Sequence, residues 1–172
     1  MQFAASALLN PTQSDEKVNR MSARLNFFPL AQASQKSLIA LSQSCKKSSL
    51  GERLVEMVQL RVSQLNGCGL CIDMHWRDLI KQGVDPRHLN AISGWREAPF
   101  FDARERAALG WAEAMNALPH RDDTDSAYPA LREHFSEEEI AQLCYTVAAI
   151  RAWNVMNLSL RNQIPLNPPP GM

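Results

Sequence analysis

Apolar residues crowd one stretch of the chain from every side. Leu54, Val55, Met57, Val58, Leu60, Val62 and Leu65 occupy nearly every direction around a helix over about residues 52–65. A helix apolar on most sides is buried. Ser49, followed three residues later by Glu52, predicts a capping box that opens it. Glu56 lies inside this run, and a buried carboxylate is costly without a partner. The pattern therefore requires a partner for Glu56 from elsewhere in the chain.

The flanking pattern predicts further helices. Leu38, Leu41 and Cys45 share helical spacing in about residues 30–45. A helix over 69–82 ends at Gly83, a suitable residue just past a helix end. Pro86 suits the first turn of a short helix reaching about Trp95. Asp102 with Glu105 caps a helix to about Leu118, with Ala107, Ala108, Trp111, Ala114 and Met115 on its apolar side. Residues 119–125 read as a polar loop and 128–135 as a short helix. Ser136 with Glu139 makes a second capping box, opening the longest helix, to about Arg161. Ile140, Leu143, Cys144, Val147, Ile150, Val155 and Leu158 predict that this helix is mostly buried. Arg151, Asn154 and Arg161 run along it as a polar line, either a solvated face or a lining or interface.

Asn26-Phe27-Phe28-Pro29 reads as a short extended anchor, since proline disfavours the helical region for the residue before it. No segment alternates with period two for long enough to be a strand. The expected fold is all-α, a single-domain bundle of six to seven helices over residues 23–165. Residues 1–22 form an arm or tail, and residues 166–172 a proline-rich tail.

Composition narrows the classes. The 172 residues are 45% hydrophobic, enough to build one core. Lys plus Arg equals Asp plus Glu at 18 each, so no global field favours nucleic acid or an anionic membrane. No run of about 18 apolar residues predicts a membrane span, and Met1 to Leu9 lacks the basic start of a signal peptide. The four cysteines, Cys45, Cys68, Cys71 and Cys144, are too few for a disulfide scaffold in a chain this long. The expected compartment is the cytoplasm, where paired cysteines are more often catalytic, redox-active or metal-binding.

The chemistry concentrates in Cys68-Gly69-Leu70-Cys71 and His75. On a helix Cys68, Cys71, His75 and Leu79 share one face. Asn66-Gly67 predicts a turn that puts Cys68 at a helix N-terminus, where free N–H groups favour a thiolate. Cys68, Cys71 and His75 are three ligands where zinc needs four, and no second CxxC follows. A thioredoxin-type motif needs a βαβ setting, and haem attachment needs histidine where Ile72 stands. A catalytic dithiol and two small core residues remain open. Glu56 and His75 lie about ten residues before and eight after the turn, at similar depths of roughly 12–16 Å in a helical hairpin. The carboxylate can then hold one imidazole nitrogen while the other draws a proton from a thiol. Without the nearby cysteines, an inert core pair would be the preferred reading.

Glu56, the pair Cys68 and Cys71, and His75 resemble the signature of AhpD-like alkylhydroperoxidases in the carboxymuconolactone decarboxylase superfamily. Leu60 to Cys68, Cys71 to His75, Trp95-Arg96-Glu97, Arg104 to Leu109 and Trp153-Asn154 extend the resemblance over about residues 25–165. It implies an AhpD-like helical fold, assembly into homo-oligomers such as trimers or hexamers, and peroxide reduction by the cysteine pair. By motif position it implies that Cys71 attacks peroxide, Cys68 resolves the sulfenic acid, and His75 and Glu56 relay protons. The best-studied members carry a histidine just before the second cysteine, where this chain has Leu70. The expected substrate is hydrogen peroxide or an organic hydroperoxide, with a lipoyl- or thioredoxin-type thiol as reductant. No cofactor, metal or nucleic acid is expected. A lactone decarboxylase, or a non-enzymatic redox-sensing or metal-binding oligomer, are the alternatives. Cys45 and Cys144 are expected in the core, His88, His120 and His134 near the surface. Trp76, Trp95, Trp111 and Trp153 read as core or interface anchors.

Overall fold

The computed structural model describes residues 22–167. Most of the expected arm and tail therefore lies outside the described residues. Among the described residues seven α-helices follow one another: α1 (Gln32–Lys46), α2 (Glu52–Asn66), α3 (Gly69–Lys81), α4 (Pro86–Ala91), α5 (Ala103–Ala117), α6 (Thr124–His134) and α7 (Glu137–Ser159). A 3-10 turn, Ile92–Gly94, extends α4, and no strand occurs among the described residues. The all-α expectation holds. No helix among the described residues is long and apolar enough to cross a membrane.

The central helix is α2, packed against α1, α3, α5 and α7. Its apolar residues divide between two cores. Val55, Val58 and Val62 meet Leu143, Val147 and Ile150 of α7 and Ala108 and Trp111 of α5. Met57 and Leu60 meet Leu79, Leu89, Ile92, Trp95 and Leu109 on the other side. This is why the helix is apolar all round. Truncating a fully buried residue such as Leu60 to alanine costs about 2–5 kcal/mol.

The caps at α5 and α7 form as expected. The Glu105 N–H donates to Asp102 at 2.8 Å, and the Asp102 N–H donates to Glu105 at 3.1 Å. The Glu139 N–H donates to Ser136 Oγ at 3.2 Å, and the Ser136 N–H donates to Glu139 Oε2 at 2.9 Å. The box expected at Ser49 does not form. Gly51, at φ 82°, stands before α2, and no side chain caps it. The left-handed glycine turns the chain straight into the helix, and Leu50 anchors the turn in the core.

Three other expectations are corrected. Residues 27–30 form a turn where an extended run over 26–29 was expected: the Leu30 N–H donates to the Phe27 carbonyl at 3.1 Å, and Phe27 stacks on Phe28. α6 begins earlier than expected, because Asp122 accepts from the Thr124 N–H at 3.1 Å. It tolerates Pro129 inside its span because Leu131 is fully buried and Tyr128 lies against Trp111. In α7, Val155 and Leu158 face outward, so the helix buries one side only. Cys45 is fully buried and Cys144 half-buried against the core. His120 is exposed, His88 and His134 are half-buried, and Trp76 is exposed.

Candidate active site

The site begins where α2 ends. Gly67, at φ 72°, takes the left-handed conformation that closes a helix. Its N–H donates to the Gln64 carbonyl at 3.2 Å, and the Cys68 N–H donates to the Ser63 carbonyl at 3.0 Å. That pair of bonds reverses the chain and delivers Cys68, extended at φ −81° and ψ 91°, as the residue that starts α3. Cys71 falls in the first turn, near the positive end of the helix dipole. Both thiols are buried and free.

Across the hairpin the structure brings Glu56 and His75 together. His75 Nδ1 lies 2.6 Å from Glu56 Oε2, with both side chains almost fully buried. In the neutral ring, Nδ1 carries the proton donated to the carboxylate, and Nε2 is left as an acceptor. Lys46, at the end of α1, places its ammonium on Glu56 Oε1 and lies 3.6 Å from Asp78 Oδ2. Burial alone would lower the Lys46 pKa; its bond to Glu56 and the charges of Glu56, Asp78 and Glu52 together more than reverse that and raise it. His75 Nε2 and Gln59 Oε1 are buried without a hydrogen-bond partner among the described residues.

Arg151, Asn154 and Asn157 of α7 turn inward onto neighbouring helices and do not form a solvated face. Asn157 Nδ2 donates to Cys71 Sγ at 3.3 Å. Asn154 Nδ2 donates to Ser63 Oγ at 3.1 Å and its carbonyl accepts from Asn66 at 2.9 Å. Arg151 donates to the Met115 and Leu118 carbonyls, and Arg161 lies beyond the helix. The two cysteines differ sharply in acidity. The hydrogen bond from the Cys68 thiol draws the Cys71 pKa down to about 6. Burial opposes this, while the Asn157 and Asn154 amides and the charge of His75 add to it. The same contact pushes Cys68 upward, with burial adding to it.

A cavity of about 320 Å³ opens beside these groups, lined by His75 and Asn157, with both thiols buried behind its wall. Its walls are Phe28, Ile39, Leu70, Met74 and Trp153, and His75, Gln59, Lys46 and Asn157 supply its polar points. Trp153 was expected as an anchor; it both lines the cavity and donates from Nε1 to Ser42 Oγ at 2.9 Å. No group of three His, Cys, Asp or Glu side chains is placed to hold a metal among the described residues.

The sequence reading missed Lys46, Gln59 and Asn157. Asn157 had a signal, a second amide three residues after Asn154 in an otherwise apolar helix. Lys46 had a weaker one, as a cation in the last turn of α1. Gln59 looked like an ordinary polar position.

Fold and site together define an all-helical domain with a dithiol at a helix start. Residues 32–114 match the carboxymuconolactone decarboxylase family, and the chain belongs to that family. It is 32% identical over 143 residues to the uncharacterized protein YdfG of Bacillus subtilis (strain 168), covering 83% of this chain and 97% of that one. A crystal structure from Agrobacterium tumefaciens, of a protein of unknown function suggested to be the antioxidant defence protein AhpD, superposes with a TM-score of 0.81. It is 34% identical, over 85% of this chain and all of that one. The debrominase Bmp8 shares the fold at a TM-score of 0.68 and 20% identity, over 76% of this chain and 70% of that one.

Proposed function

We propose that the protein is a thiol-dependent peroxidase that reduces hydroperoxides through Cys71 and Cys68. One observation carries the reading: the more acidic of two adjacent thiols sits beside a Glu56–His75 pair whose outer nitrogen lacks a partner, and His75 lines a cavity. The Cys71 thiolate attacks the terminal peroxide oxygen. The O–O bond breaks and the alkoxide leaves, taking a proton through His75, with Glu56 steadying the imidazole. Cys71 becomes a sulfenic acid. Cys68 sulfur then attacks Cys71 sulfur, water leaves, and a Cys68–Cys71 disulfide forms. A dithiol reductant, of lipoyl or thioredoxin type, returns two electrons and two protons. The apolar walls favour organic hydroperoxides over hydrogen peroxide.

The assay is peroxide consumption by the reduced protein with dihydrolipoamide or thioredoxin, using hydrogen peroxide and cumene hydroperoxide. The expected result is turnover with a Cys68–Cys71 disulfide in the oxidised form and Cys45 and Cys144 still reduced. Absence of turnover with every reductant, or oxidation at Cys45 or Cys144 instead, overturns the reading. We also propose assembly into a homo-oligomer through the outward face of α7, where Tyr145 and Val155 are 57% and 62% exposed. A monomer by sedimentation at micromolar concentration contradicts this.

A further inference from the structure

The end of α7 repeats the geometry that ends α2. Arg161, at φ 56°, is a non-glycine residue in the left-handed region, an uncommon conformation for a residue with a Cβ. Its N–H donates to the Leu158 carbonyl at 3.2 Å, and the Asn162 N–H donates to the Asn157 carbonyl at 2.9 Å. These two bonds are the Schellman closure of a helix. Arg24 ties the same turn from outside, its backbone N–H on the Leu160 carbonyl at 2.8 Å and its guanidinium on the Ser159 carbonyl at 3.1 Å. Ile164, two residues on, rests over Gly69, where an added Cβ would meet it at 3.3 Å. The segment after α7 is thus held against the start of α3.

That closure has a chemical product. It folds the Asn162 side chain back so that its Nδ2 donates to Asn157 Oδ1 at 2.8 Å. An amide whose oxygen is already engaged as an acceptor presents its N–H₂ in one direction. Here the direction is Cys71 Sγ, 3.3 Å away and buried. A donor aimed at a sulfur favours the anion over the thiol. The Asn154 amide favours the anion at both sulfurs, whereas Asn157 reaches Cys71 alone. The asymmetry between the two thiols therefore has a source outside the CxxC segment.

We propose that Asn157, locked in orientation by Asn162, is the residue that selects Cys71 over Cys68 as the attacking sulfur. This rests on the peroxidase reading only for the word attacking; the selection itself is a property of the reduced protein. Asn157 touches the reacting atom and is a catalytic residue in that sense. Asn162 acts through it and is a positioning residue. The titratable groups around Cys71 are Cys68 and His75 of its own segment. Behind the imidazole stand Glu56 of α2 and Lys46 of α1. From α7 come the Asn154 and Asn157 amides.

The test is iodoacetamide alkylation of the reduced full chain against pH, with the modified cysteine located by fragmentation of its peptide. No peroxide is present, so the result is independent of turnover. In wild type, Cys71 reacts first, with a midpoint near 6. In Asn157→Leu the midpoint should rise by roughly one to one and a half units, so that alkylation at pH 6 slows about five- to twentyfold and the preference for Cys71 shrinks. Asn162→Ala lies at the edge of the site and keeps the test available if the first variant fails to fold. It should give a smaller rise of the same sign. Unchanged profiles and unchanged preference in folded Asn157→Leu, or in folded Asn162→Ala when the first variant does not fold, overturn the proposal. A selective Cys71 without peroxide turnover would sink the peroxidase reading and leave this one standing.

Discussion

Two carboxylates in this molecule are surrounded by cations and end differently. Glu113 of α5 accepts from Trp95 Nε1 at 2.9 Å, Arg61 Nε at 2.7 Å and Arg96 Nη1 at 2.6 Å. Burial raises its pKa, but those donors outweigh burial and hold it below the usual carboxylate range. Glu56 of α2 is more deeply buried and meets Lys46 and His75. The difference lies one atom further on. The groups around Glu113 are satisfied by that carboxylate and by their neighbours, Arg61 also reaching Gln64 and Arg96 lying over Trp95, so the network closes. The imidazole on Glu56 ends in a nitrogen that bonds nothing among the described residues, and its residue lines a cavity. A perturbed carboxylate alone does not mark a working site; an unpartnered buried acceptor beside an acidic thiol does.

The contrast breaks most completely at the sulfur. Cys71→Ser should abolish peroxide turnover, whereas Glu113→Gln should leave it unchanged. Next come Glu56→Gln and His75→Gln, each expected to lower turnover on the order of 10²–10⁴-fold while the helical circular dichroism persists. If either variant turns over as wild type does, the pair is packing.

Acid should separate the two carboxylate regions as well. Cys71 gains its proton as pH falls through about 6, so its alkylation at pH 5 should be about tenfold slower than at pH 8. Glu113, held below its ordinary 4.5, contributes stability that is complete above that value and is lost only as pH falls through its lowered one. Urea melts at pH 5 and 8 should therefore differ little on its account. Glu113→Gln itself should destabilise by about 2 kcal/mol in those melts. The smallest effect is expected from Lys46→Met. It removes one of two partners of Glu56 but leaves the His75 bond, and should slow turnover roughly three- to fivefold.

The hairpin that carries the site was readable before any coordinate. Apolar positions on every side of residues 54–65 announced a buried helix, and Asn66-Gly67 announced its reversal. Glu56 in that run demanded a partner, and helical arithmetic put His75 at its depth. The cap at Ser49 misread because a capping motif ranks local chemistry, while the left-handed Gly51 and the buried Leu50 answer to tertiary packing. Asn157 comes from a helix distant in sequence, and no local pattern reports which residues of a remote helix will touch a given sulfur; Lys46 stands on the preceding helix, and no spacing rule ties it to Glu56. Val155 and Leu158 misread for a related reason: apolar side chains on a long helix do not say whether the surface covering them is their own chain.

The left-handed Gly67 has a consequence for how this chain can vary. It leaves Cys68 alone between two helices whose facing side chains meet across it. One inserted residue anywhere from 57 to 74 that stays helical turns everything beyond it by about 100° and advances it about 1.5 Å. His75 would then point away from Glu56, however well the helices still formed. Length changes should be accepted in the loops after α3 and α5 and refused within this stretch, so the gap of nineteen positions between Glu56 and His75 behaves as a ruler rather than a linker.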